Sequence, residues 1–269
     1  AQVPALQRPS SAPPHMATAQ PVASGPAQLF ARDGLTLTAA DGILTLVLDR
    51  GECRINPTSI ELLSDALAAV EKAPHPKALV VTGTGKFFCN GLDVEWMSRH
   101  GAETGAMLES FWRVLARLLV MDCHTVCAIN GHAFGAGIFI ALACDWRIMR
   151  TEKGFVNFPE LNLGMRLSKG FSELAKAKLS PAALRQGVLG GKRWSSSEAV
   201  AAGVVDAECP EEALRAEAQR MARGYLPASL KLARFNPKSF TQMKIELYTD
   251  AYRALTLPNS AAAGPDARL

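Results

Sequence analysis

The chain has 269 residues, 48% of them apolar, and a net charge of +4, enough for one large domain or two modest ones with a real core. Lys and Arg are scattered without a long basic run, which argues against a nucleic-acid partner, although a mild positive balance suits phosphorylated small molecules. The best apolar stretch, around Val114–Met121, is interrupted by Arg117 and is too short to span a bilayer.

Residues 1–29 are rich in Ala, Pro, Ser and Gln, lack any acidic residue and include Met16 as an alternative start; they read as a disordered leader or an organelle transit segment. Leu35–Thr38 and Ile43–Leu48, separated by Asp41-Gly42, predict a hairpin. Asn56-Pro57-Thr58-Ser59 opens a helix to about Ala73, with Ile60, Leu63, Ala66, Leu67 and Val70 on one face. Lys77–Thr82 reads as a short buried strand ending in Gly83-Thr84-Gly85. A helix over Thr104–Met121, a strand over Thr125–Ile129, a short helix over Gly135–Ala143 and a strand over Asp145–Met149 follow. Strands alternating with helices predict an α/β domain with largely parallel pairing. Beyond Gly170 the pattern is helical, at Ser172–Leu179, Pro181–Leu189, Ser196–Ala202, Glu211–Gly224 and Pro237–Leu255, with a joint expected over Tyr225–Asn236. From Pro258 the tail is small and polar, and its final Ala267-Arg268-Leu269 is a conservative variant of the Ser-Lys-Leu peroxisomal signal.

Six cysteines occur without a Cys-x-x-Cys pair and mostly in apolar runs, as buried thiols of a reducing compartment would. Cys123, His124, Cys127 and His132 match no standard zinc spacing and sit on a strand pattern, so no metal site is expected.

Three segments carry the chemical signal: Phe87-Phe88-Cys89-Asn90-Gly91-Leu92-Asp93, Gly131-His132-Ala133-Phe134-Gly135-Ala136-Gly137 and Phe158-Pro159-Glu160. The first two are glycine-bearing turns after strand-like runs, able to aim backbone N–H groups at one point. Each also has a plainer explanation, an ordinary strand-to-helix turn for the first and close packing of a buried helix for the second. Asp93 suits a helix cap better than a catalyst. Glu160 lies among Phe155, Val156, Phe158, Leu161 and Leu163. Apolar surroundings would make it more basic, whereas a turn glutamate at the surface would do no chemistry. Neither a dinucleotide fingerprint, a P-loop nor a Gly-x-Ser-x-Gly elbow is present.

Taken in order, Ala78–Gly83, Lys86–Asp93, Ala128–Gly137, Ala143-Cys144-Asp145, Pro159–Gly164 and Ser196–Asp206 resemble the crotonase superfamily of enoyl-CoA hydratases and isomerases, over roughly residues 35–255. The resemblance implies a crotonase-like spiral of ββα units over 30–206. A C-terminal helical trimerisation segment over 207–257 and a flexible tail over 258–269 would follow. It places an oxyanion hole on the backbone N–H groups of Leu92 and Ala136, with Cys89, Asn90, Gly91, Asp93, Gly137 and Phe139 around the substrate. Hydratases of the family use two glutamates; the second is present as Glu160, but the first falls on Phe139. One remaining glutamate is what its Δ3-Δ2-enoyl-CoA isomerases show, and Asn90-Gly91-Leu92-Asp93 resembles the peroxisomal ones. Gly164–Gly170 lacks the proline and paired glycines common in hydratases, which implies a changed acyl pocket. The expected partners are an acyl-CoA thioester, further copies in a homotrimer or hexamer, and a peroxisomal import receptor at the C-terminus. No cofactor is needed beyond the coenzyme A of the substrate. Peroxisomal residence is expected, with mitochondrion or plastid as the alternative from the leader. Hydration, dienoyl isomerisation, thioester hydrolysis and acyl-CoA binding without catalysis are the rival readings.

Overall fold

The computed structural model describes residues 25–231 and 236–257. It opens with β1 (Ala27–Arg32), β2 (Leu35–Ala40) and β3 (Ile43–Leu48), an antiparallel meander. Asp41 and Gly42 both take positive φ, +49° and +78°, as a two-residue hairpin turn of matching twist requires. Helix α1 (Pro57–Lys72) starts with a reciprocal cap: Asn56 Oδ1 accepts from Ser59 N at 3.1 Å, and Ser59 Oγ accepts from Asn56 N at 2.8 Å. Pro57 occupies the first turn, where its missing N–H costs nothing.

A rhythm then repeats three times. A long strand is followed by a short strand of a second sheet, then by helix: β4 (Ala78–Gly83), β5 (Phe87–Cys89), α2 (Val94–Arg99) and α3 (Thr104–Leu119); β6 (His124–Ile129), β7 (His132–Phe134) and α4 (Ala136–Ala143); β8 (Trp146–Arg150), β9 (Val156–Asn157) and α5 (Lys169–Lys178). The chain closes with α6 (Pro181–Leu184), β10 (Arg193–Trp194), α7 (Ser196–Ala201), β11 (Ala207–Cys209), α8 (Glu211–Lys231), α9 (Pro237–Leu247) and α10 (Thr249–Thr256). The large sheet runs β1-β2-β3-β4-β6-β8-β11, parallel from β3 onward; the small one runs β10-β9-β7-β5. This is the expected spiral of ββα units. All eight residues of α4 are buried between the sheets and α3 and α5, which is why its sequence carries no polar face.

Three expectations shift. β1 begins at Ala27, inside the segment read as leader. The joint expected over Tyr225–Asn236 is helical as far as Lys231, through Pro227, because one interior proline removes a single ladder bond without having to end the helix. The helix expected over Pro237–Leu255 is two, broken at Tyr248. There the phenol oxygen accepts from Lys178 Nζ at 3.2 Å, and the break lets α10 fold onto α3 and α5. The leader up to residue 24 and the Ala-Arg-Leu terminus lie outside the described residues.

A buried charge holds α9 to the large sheet. Lys244 Nζ donates to Asp145 Oδ2 at 2.8 Å and to Cys123 O at 3.0 Å, while Thr125 N and Oγ1 donate to the same carboxylate oxygen. Removing one partner of such a pair strands the other charge. Lys244→Met is expected to cost about 3–5 kcal/mol in urea unfolding, and a loss within error of zero would show the pair to be idle.

Candidate active site

Strands β5, β7 and β9 are parallel neighbours in the small sheet, pairing Cys89 with Ala133 and Phe134 with Asn157. Their C-terminal ends point the same way. Asn90-Gly91-Leu92 leaves β5, Gly135-Ala136 leaves β7 and Phe158-Pro159-Glu160 leaves β9. Each of the three segments flagged in sequence is thus the exit of one strand, and they converge by topology. Ligands commonly bind beyond the carboxyl ends of parallel strands.

The first turn is gripped by Ile55. Its N–H donates to Gly91 O and its carbonyl accepts from Asp93 N, both at 2.9 Å. Because extended backbone alternates the direction of its polar groups, Leu92 N–H faces away from Ile55. In the second turn Gly135 takes φ +48° and ψ −114°, a conformation open to glycine, and donates its N–H to Asn157 O at 3.2 Å. Ala136 begins α4, so its N–H is one of the orphan donors of a helix start. Neither N–H is used in the turn and loop hydrogen bonds of the described residues. The turns touch: a Cβ on Gly91 would lie 3.1 Å from Phe134 O and 3.8 Å from Ala136 N.

Leu92, Ala136 and Glu160 line one cavity of about 300 Å³, walled by Leu108, Phe134, Met165 and Phe171. Glu160 Oε2 is buried there without a hydrogen-bond partner, and burial pushes its carboxyl above the ordinary value. Glu160 is the sole carboxylate among the described residues lining this cavity. A larger cleft of about 560 Å³ lies between α1 and α3, but it contains neither glycine turn and its lining carboxylates face more open solvent. The smaller cavity is therefore the candidate site.

Of the residues expected around the substrate, Asn90 and Gly91 join the lining, and Cys89, Asp93, Gly137 and Phe139 do not. Cys89 is fully buried behind the turn. Asp93 caps α2, accepting from Trp96 N at 2.9 Å, and takes a further bond from Asn56 Nδ2 at 3.1 Å. Gly137 serves packing: a Cβ there would stand 2.4 Å from the Cys89 carbonyl oxygen. Phe139 is fully buried and stacks on Phe171 at 4.2 Å between centroids, so it backs the cavity wall one layer removed. Phe139→Ala is accordingly expected to cost about 3–5 kcal/mol in unfolding; a near-neutral result would mean the wall rests on something else. Arg54, Met97, Leu108 and Phe171 also line the cavity and were not singled out in sequence, whereas Phe134 belongs to the second flagged segment and Met165, Arg166 and Ser168 to the Gly164–Gly170 stretch expected to change the acyl pocket.

With this geometry in place, the class is settled by comparison. Residues 38–259 match the family model described as enoyl-CoA hydratase/isomerase, and the chain belongs to that crotonase family. Among curated relatives it is 33% identical to enoyl-CoA delta isomerase 2, peroxisomal, of Arabidopsis thaliana, over 83% of this chain and 95% of the relative. It is 34% identical to that plant's enoyl-CoA delta isomerase 3, over 83% and 91%. A crystal structure of a probable enoyl-CoA hydratase from Mycobacterium tuberculosis shares the fold, with a TM-score of 0.74 at 24% identity, covering 83% of this chain and 92% of that one.

Proposed function

We propose that the protein is a Δ3-Δ2-enoyl-CoA isomerase. The observation that carries this is a lone, half-buried carboxylate, its Oε2 buried without a partner, that shares a largely apolar cavity with two backbone N–H groups from touching turns. The thioester oxygen of a 3-enoyl-CoA lies between Leu92 N–H and Ala136 N–H. Glu160 removes a proton from C2, charge moves onto the oxygen, and the same carboxylate returns the proton at C4 to give the conjugated trans-2-enoyl-CoA. One base suffices because both carbons lie on one face of a planar dienolate. Phe171, backed by Phe139, keeps water from the intermediate. Among the described residues, Arg54, paired with Glu52 at 2.6 Å, and Arg166 are the basic groups lining the cavity. Hydration is disfavoured because, among the described residues, the lining offers no second carboxylate to activate water.

Purified protein incubated with trans-3-hexenoyl-CoA should produce the ultraviolet rise of the conjugated product, and trans-2-hexenoyl-CoA should stay unhydrated. Hydration without isomerisation would refute the assignment. The names of the plant relatives and the Ala-Arg-Leu terminus support residence in the peroxisome. A fluorescent fusion should therefore become diffuse when those last three residues are removed; unchanged import would point to the leader. Association into trimers is supported by Met243 and Leu247, exposed four residues apart on α9, and by exposed Leu257 after α10. Light scattering of the full chain should give a mass of three or six copies, against a monomer if the reading fails.

A further inference from the structure

The cavity holding Glu160 adjoins a second of about 330 Å³, and Met97, Leu108, Met165, Arg166 and Ser168 line both. On the proposed function the thioester occupies the first, so the second lies where the acyl chain continues. Hydrocarbon would need only an apolar wall. Trp112 also lines this space, 2% exposed, and both its Nε1 and Ser168 Oγ are buried without a hydrogen-bond partner. Leaving such an atom unsatisfied is costly.

Ser168 is the N-cap residue of α5, a helix of ten residues, yet its hydroxyl makes no cap bond. The usual bond to the second or third N–H of the helix is missing, and the first turn keeps its free donors. Gly170 in that turn lies against the indole: a Cβ there would be 2.9 Å from Trp112 Cε2, the carbon bonded to Nε1. The indole of Trp112, Ser168 and the uncapped start of α5 thus border the same space. Of the other polar groups in this lining, Thr104 Oγ1 donates to His100 O at 3.2 Å, Glu109 pairs with Arg113 at 3.4 Å, and Arg166 contributes a cation.

We propose that the second cavity is an acyl-tail subsite selective for chains bearing a neutral oxygen, a hydroxyl or keto group, several carbons from the thioester, held by Trp112 Nε1–H and Ser168 Oγ. An indole N–H can only donate, so the matching group on the ligand must be an acceptor. Glu109 and Arg166 put one charge of each sign in the same lining, so the neutral donors Trp112 Nε1–H and Ser168 Oγ set the preference there.

The test is calorimetric binding of matched saturated acyl-CoAs of increasing length, each with and without a terminal hydroxyl, to wild type, Trp112→Phe and Ser168→Ala. Saturated thioesters cannot isomerise, so the subsite is read whether or not the enzyme assay succeeds. At one length the hydroxylated chain is expected to bind about fivefold more tightly, as one net hydrogen bond gives, and each variant should bring that ratio towards unity. Using the ratio cancels any general loss of affinity, and Ser168→Ala serves if Trp112→Phe does not fold. Equal or better binding of the plain chain at every length would overturn the proposal, as would a ratio that survives both substitutions. So would preference for a terminal carboxylate over the hydroxyl. Absence of all acyl-CoA binding would overturn the isomerase reading with it.

Discussion

Glu160→Gln is expected to lower the turnover of trans-3-hexenoyl-CoA by about 10²–10⁴-fold, the usual cost of a positioned base, while making the protein more stable at neutral and alkaline pH. Both effects follow from one fact. The carboxylate sits in an apolar cavity without a partner for Oε2, so burial raises its proton affinity. In the unfolded chain Glu160 titrates at the ordinary value; in the folded protein it titrates higher. Below the ordinary value both states carry the proton and the wild type suffers no penalty. Between the two values the folded state holds the proton that the unfolded state has released, so stability falls as pH rises. Above the raised value the loss is complete, and the cost of burying charge is present in full. Glutamine never ionises and avoids it. The melting-temperature advantage of Glu160→Gln should therefore be absent at acid pH, grow through the carboxylate range and level off. Activity of the wild type should rise over the same upper part of that range, because only the ionised form removes a proton. A stability difference that does not vary with pH would show that Glu160 is solvated and not the buried base described.

The site was legible in the sequence because its three parts are local. A glycine after a short apolar strand marks a strand exit wherever the strand goes, which exposed the first two segments, and a carboxylate beside proline in apolar company exposed the third without the strand before it. That they meet was not visible in spacing; it follows from β5, β7 and β9 being parallel neighbours, and β9 has only two residues, Val156 and Asn157, too few to leave a periodic signal. The side-chain environment was least legible. Phe139 occupies a site position by resemblance, but α4 is buried on every side, so sequence could not say which face looks into the cavity. Phe171 enters the lining from α5, far along the chain, and nothing in its own pattern announces it; Ser168, the cap of α5, lies in the Gly164–Gly170 stretch expected to change the acyl pocket, but its individual place there was not visible. The break at Tyr248 was hidden for a similar reason, since it answers to Lys178 on α5 rather than to any helix breaker of its own.

Gly137→Ala should reduce turnover by about 10²–10³-fold, the range for losing one oxyanion donor, although Gly137 lines no part of the cavity. A methyl group there would meet the Cys89 carbonyl oxygen at 2.4 Å and Cys89 Cβ at 3.0 Å. The closest of these contacts is backbone, so it cannot be relieved by a change of rotamer. Either the first turn of α4 or the end of β5 must move, and each carries one of the two N–H groups. Ala136 is the residue before Gly137, and Leu92 lies three residues after Cys89, with Ile55 fixing its flanks at 2.9 Å on both sides. The Ile55 clamp resists movement of the β5 side, so the displacement should fall on α4 and carry the Ala136 N–H away from the Leu92 N–H. The proton-transfer step would lose more than ground-state binding, because charge reaches the oxygen only as the proton leaves C2. The expected signature is a fall in kcat larger than the rise in KM, with Glu160 still titrating as in the wild type. A variant that folds, binds and turns over as the wild type does would show that the spacing of the two turns is not what supports the reaction.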